Sequence, residues 1–159
     1  VACITNAPSP CSSSAQRLDG YRAALTKAGI AYDEALVRFA DFDVASGYEQ
    51  MRDLLTSGQQ FSAAFIASDN VAFGALRAIQ EAGLRIPEDI SLVGFDDIPL
   101  AAYTNPPLTT IHMPANEIAQ QSCHLLMRLM RGETPECRSI TLSTDLIVRR
   151  STQPKEGAR

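Results

Sequence analysis

Nowhere does the chain carry an apolar run near the roughly 20 residues that cross a bilayer, so no membrane-spanning helix is expected. Nor does it hold a cluster of Lys and Arg. Fourteen basic residues stand against 18 acidic ones, for a net charge of −4. Gripping nucleic acid unaided requires a basic surface that neutralises phosphates, so specific DNA binding by these residues alone is not expected. The four cysteines, Cys3, Cys11, Cys123 and Cys137, form no Cys-x-x-Cys pair, and His112 and His124 lie apart from any cysteine or carboxylate pattern. The expectation is four reduced thiols, no metal site and no cofactor. Gly-x-Gly-x-x-Gly after the first strand, a P-loop and Gly-x-Ser-x-Gly are all missing, and Ser12-Ser13-Ser14 has no partnered His. No charged leader precedes the apolar start Val1–Thr5, which reads as a strand rather than a signal peptide. The chain does not open on Met, which suggests a segment of a longer protein.

What is present is a conventional core. Apolar residues make up 45% and charged residues 20%, which is outside the composition of disordered chains. The pattern alternates strand and helix. Residues 1–6 form a short apolar strand, and a turn-rich loop at 7–14 leads into a helix with Leu18, Tyr21, Leu25 and Ala28 at helical spacing before Gly29. A second strand is expected at 35–39 and a second helix at 46–56, with Tyr48, Met51, Leu54 and Leu55 on one face. A nearly all-apolar strand at 63–67 suits burial on both faces. A helix carrying Ala72, Ala75, Leu76, Ile79 and Ala82 follows, then a fourth strand at 90–95. Strands alternating with helices of about a dozen residues imply right-handed crossovers and a parallel sheet. Beyond Phe95 the rhythm changes to an extended segment at 108–113, a long helix at 115–131 and short strands, or one bent strand, at 139–142 and 146–149.

Ligands of open parallel sheets bind outside the carboxyl ends of the strands. Four loops qualify, holding Ser12 to Arg17, Asp41 to Asp43, Ser68-Asp69 and Asp96-Asp97. Arg17 in the first turn of a helix opposes the helix dipole. It either forks onto a ligand or is a solvated side chain answered by Asp19. Phe42 either stacks on a ligand's ring face or packs in a small local core. Of Asp96 and Asp97, one suits ligand hydroxyls while the other caps or orients a loop; a catalytic dyad or cation site is the alternative. Ser68-Asp69 is most simply a helix cap, with pocket contact as a second role.

The stretches RLDGYRAAL, DFDVASGYEQM, ASDNVAFGALRAIQEAGLRIPEDIS, VGFDDIP, PPLTTI and DLIVRRST occur in that order. Together they resemble the effector-binding core of the LacI/GalR family of bacterial transcription regulators over nearly the whole chain. The resemblance implies a three-layer α/β/α lobe with a mainly parallel sheet, like type I periplasmic binding proteins, with flavodoxin-like strand order. It implies that residues 1–113 are the carboxyl-terminal lobe of that core, that 114–143 complete the other lobe, and that 144–159 are a return strand and polar tail. By position it assigns ligand contacts to Ser13, Arg17, Phe42, Ser68 and Asp96. It further implies a small sugar or nucleoside-like effector, a cytoplasmic homodimer, and operator DNA bound only through a helix-turn-helix headpiece outside these residues. The readings from other classes are a periplasmic sugar-binding protein of a transporter and an enzyme acting through Asp96 and Asp97.

Overall fold

The computed structural model describes residues 1–6, 13–134 and 139–154. Most of the loop expected at 7–14, together with Cys11 and Cys137, lies outside the described residues. The elements run β1 (Ala2–Thr5), α1 (Ser13–Lys27), β2 (Val37–Phe39), α2 (Val44–Thr56), β3 (Ala63–Ile66), α3 (Asp69–Glu81), β4 (Ser91–Asp96), β5 (Thr109–His112), α4 (Ala115–Met130) and β6 (Asp145–Ile147). They build one sheet in the order β2-β1-β3-β4-β5-β6. The first five strands are parallel and β6 runs antiparallel to β5 at the edge. The order β2-β1-β3-β4-β5 is the flavodoxin-like one.

Alternation along β1 divides the core between the faces of the sheet. Cys3 packs with Leu18, Tyr21 and Leu25 of α1, while Ala2 and Ile4 join Met51 and Leu54 of α2 and Ala72, Ala75 and Ile79 of α3. Burial pushes the Cys3 thiol up to about 12, which keeps it protonated. On the second face α2 and α3 meet backbone to backbone. A Cβ built on Gly74 would overlap the Val44 carbonyl oxygen, and one on Gly47 would overlap the Val71 carbonyl oxygen.

Three local expectations change. Residues 34–36 form a short 3-10 turn rather than strand, because the Asp33 carboxylate accepts the Ala35 amide at 2.9 Å and draws the backbone inward. Helix α2 starts two residues early, since Asp43 caps it by accepting the Ser46 amide at 2.8 Å. Residues 139–142 are not strand. The β5–β6 register pairs His112 with Asp145, so residues before 145 run past the end of β5, where Pro114 offers no N–H and the chain turns into α4.

Helix α4 has no buried residue. Its stripe of Ile118, Leu126 and Leu129 is exposed, and Leu125 is half-buried. Together with Met113 and Ile140, part of this stripe lines a groove of about 490 Å³. Burying each leucine-sized side chain would contribute roughly 1.5–3 kcal/mol.

Candidate ligand-binding site

Parallel pairing brings the carboxyl ends of β1, β2, β3 and β4 to one edge of the sheet, so the loops after them converge. Helix α1 starts at this edge with Ser13, which is exposed and lies one helical turn before Arg17. Arg17 is half-buried, and its guanidinium carbon sits 4.2 Å from the centroid of the Phe95 ring. That is cation–π distance over an aromatic face. Burial lowers the Arg17 pKa, and the neighbouring charge of Asp96 opposes the shift. Asp19 does not answer Arg17; it pairs with Arg22 at 3.5 Å. The reading of Arg17 as a solvated surface residue therefore fails.

Asp96 ends β4 with φ +115°, and Asp97 follows with φ +57°. Two successive non-glycine residues in this region are uncommon, and such strain concentrates at functional sites. The turn places the Asp96 carboxylate against the start of α3. There it accepts hydrogen bonds from the Ser68 side chain and the Asp69 backbone N–H, and it faces Arg17. Burial raises its pKa, while Arg17, Ser68 and the Asp69 amide pull it back. This corrects the simple helix-cap reading of Ser68. The Ser68 hydroxyl makes no capping bond; Asp96, arriving from another strand, takes the first amide of the helix. Ser68 itself is buried beside Asp96.

Asp69 is fully buried, and sequence reasoning saw it only as part of a cap. Its carboxylate accepts the Thr110 hydroxyl at 2.7 Å, the Ile98 amide at 3.0 Å and the backbone N–H of Asp97. Burial is the main reason its pKa is raised. Gly94 makes room for it, since a Cβ there would overlap Asp69 Oδ1. The available signal was an acid between an apolar strand and an apolar helix, with a glycine inside strand VGF.

Asp97 takes the loop-orienting role. Arg149 Nη2 donates to its Oδ1 at 2.6 Å, and His112 Nδ1 lies 3.0 Å from its Oδ2. The two acids therefore hold different partners and do not share one site. Among the described residues, no group of three or more His, Cys, Asp or Glu side chains is placed to hold a metal. Phe42 is 63% exposed at the carboxyl end of edge strand β2, so the local-core reading of its ring is overturned. It stands apart from the Arg17–Ser68–Asp96 cluster, with β1 between β2 and β3. A cavity of about 500 Å³ opens beside Asp96 and Asp97, lined also by Pro99, His112 and Met113.

The raised Asp96 carboxyl has a pH signature. A folded-state pKa above the unfolded value of 3.8 means that the folded form binds more protons between the two. Its contribution to stability is full below the unfolded pKa and is lost as pH rises through the folded one. Glu81 and Asp89, each held by a neighbouring arginine, are shifted down, so their contributions are lost as pH falls. The difference between the native chain and Asp96→Asn isolates the site. Urea unfolding between about pH 4 and pH 7 should show the variant losing less stability than the native chain as pH rises. Parallel curves would contradict the shift.

Residues 1–152 match the model of the periplasmic binding protein-like domain. The HTH-type transcriptional regulator CelR of Thermobifida fusca is 41% identical over 136 residues, covering 86% of this chain and 40% of the regulator. The ribose operon repressor of Escherichia coli (strain K12) is 35% identical over 151 residues, covering 95% of this chain and 46% of the repressor. A solved structure of the CelR–cellobiose complex superposes with a TM-score of 0.89 at 39% identity, over 94% of this chain and 46% of that one. The chain thus spans less than half the length of these regulators, and the relatives are regulators of transcription rather than enzymes. No helix among the described residues is long and apolar enough to cross a membrane.

Proposed function

The chain belongs to the periplasmic binding protein-like domain family, and on that premise we propose that it is the sugar-sensing part of a LacI/GalR-type transcription regulator. The observation that carries this reading is the convergence of half-buried Arg17, stacked on Phe95, and the Asp96 carboxylate, which feels the arginine's charge, at the carboxyl edge of a parallel sheet. A guanidinium and a carboxylate on one edge of the sheet supply both donors and acceptors. That suits the adjacent hydroxyls of a sugar or of a nucleoside's ribose. Ser13 adds a hydroxyl and Phe42 an exposed ring for a pyranose or base face. Buried Ser68 acts from behind by holding Asp96. The likeness to a regulator solved with cellobiose supports a sugar within this class.

A binding role is favoured over a catalytic one because Asp96 and Asp97 hold separate partners and the relatives are regulators of transcription. In this reading residues 1–113 belong to one lobe, 114–143, led by the exposed α4, to the completion of a second lobe of a longer protein, and 144–159 to a return strand and polar tail. Ligand held between two lobes favours one closure angle. Across a cytoplasmic homodimer, that angle sets the spacing of DNA-binding headpieces supplied outside these residues. The regulator relatives support this reading over a transporter's binding protein. Calorimetric titration of the longer protein with cellobiose, ribose, other mono- and disaccharides and nucleosides tests it. Saturable binding by at least one polyhydroxylated compound is expected, and no binding across the panel would overturn the reading.

A further inference from the structure

The network around Asp97 borders the ligand-facing cluster, and two of its members, Asp97 and His112, line the cavity beside Asp96. Its members come from three places in the chain. Asp97 follows β4, His112 ends β5, and Arg149 lies two residues beyond β6. The register aligns Asp96, His112 and Asp145 in one row across β4, β5 and β6. The segment leaving the sheet for α4 starts at His112, and the segment returning from residues 139–144 arrives at Asp145. The outgoing crossing thus starts beside Asp96, and the return segment reaches Asp97 through the Arg149 side chain.

Each partner is anchored from behind. Arg149 donates a second bond from Nη1 to the Leu108 carbonyl at 2.8 Å, and its amide donates to Thr109 Oγ1 at 2.9 Å. Two residues on, the buried Ser151 hydroxyl donates to the Leu92 carbonyl at 2.6 Å and accepts the Thr109 amide at 2.7 Å, which fastens the return segment to β4 and β5. On the other side, the Met113 amide donates to the Asp96 carbonyl at 3.3 Å. The Asp97 side chain thus links a rigid return segment to a turn whose backbone is strained and whose neighbour faces the pocket.

We propose that Asp97 is a positioning residue: by clamping Arg149 and His112 it holds the strained turn that presents Asp96, so that the ligand-facing carboxylate and the two crossing segments move together. This rests on reading the Arg17–Asp96 cluster as the effector pocket. A ligand that pulls on Asp96 then pulls on residues 112–113 and 145–149.

The test uses the full 159-residue chain and needs no ligand. Asp97→Gly removes the clamp while relieving the φ +57° strain, so a residue that mattered only for its backbone would tolerate it. Arg149→Gln removes the clamp from the other side, and Arg149→Lys retains one charged donor. NMR titration of the Asp96 carboxyl and hydrogen exchange at the Met113 amide are the readouts. Asp97→Gly and Arg149→Gln should each move the Asp96 titration towards that of an ordinary aspartate and speed Met113 exchange by about tenfold or more. The double variant should add little to either single one, and Arg149→Lys should recover part of the effect. An unchanged Asp96 titration and unchanged Met113 exchange in folded Asp97→Gly or Arg149→Gln would overturn the proposal. Should Asp97→Gly fail to fold, Arg149→Gln and Arg149→Lys decide alone. A second arm titrates cellobiose and ribose into the longer protein and its Arg149→Gln variant. Failure of every sugar to bind the unaltered protein would count against the pocket, whereas the ligand-free readouts report on the clamp by themselves.

Discussion

Replacing Asp96 by Asn, or Arg17 by Ala, lowers the affinity of the longer protein for its effector by about tenfold to a hundredfold, corresponding to loss of a charge-assisted hydrogen bond of about 1.5–3 kcal/mol. The expectation follows from the charges of the two groups. Asp96 sits in a half-buried position that disfavours its charge, and Arg17 is the cation that offsets this cost. Asn at 96 keeps a carbonyl oxygen for the Ser68 hydroxyl and the Asp69 amide, so the cap on α3 survives while the negative acceptor is lost. Ala at 17 removes both the donor fork and the cover over Phe95. Neither change touches the main clusters of the core, so urea unfolding should stay within about 1 kcal/mol of the native protein. Calorimetry with the sugar identified by panel titration reads the affinity. Native affinity in both variants would place the effector elsewhere.

Gly74→Ala costs about 3 kcal/mol of folding stability, a large share of the roughly 5–15 kcal/mol that holds a domain together. Ala is ordinarily the better helix former by up to about 1 kcal/mol, so propensity alone predicts the opposite sign. Packing decides. The new methyl would overlap the Val44 carbonyl and lie 2.5 Å from the Tyr48 amide nitrogen, and both are backbone atoms of α2. No rotamer change relieves such a contact, so the helices must separate and open the cluster around Met51, Ala75 and Ile79. Gly20→Ala in α1 is the control, because a Cβ there meets open space. Urea unfolding of the two variants should therefore give shifts of opposite sign. A neutral Gly74→Ala would mean that the α2–α3 crossing is looser than described.

The strand–helix rhythm, the parallel sheet and the edge at which a ligand would sit were legible because they rest on local pattern. Apolar runs of four or five residues, helical stripes ended by Gly29, Gly58 and Gly83, and the rule of strand carboxyl ends lead to β1 through β4 without any knowledge of contacts. Arg17, Ser68 and Asp96 were legible as loop residues on that edge, and the structure joins them into one cluster. Their partners were not legible. Arg17 is 78 residues from Phe95 and Asp97 is 52 from Arg149, and no spacing rule links such positions. Asp69 looked like half of a helix cap, and only folding shows a buried acid held by Thr110, Ile98 and the Asp97 amide. The sequence by itself determined which residues want burial and which chain segments extend or coil, because those are properties of neighbours along the chain. Which acid faces the pocket, which one clamps the return segment, and why Gly74 and Gly94 admit no side chain were decided only when distant segments came within hydrogen-bond and van der Waals range.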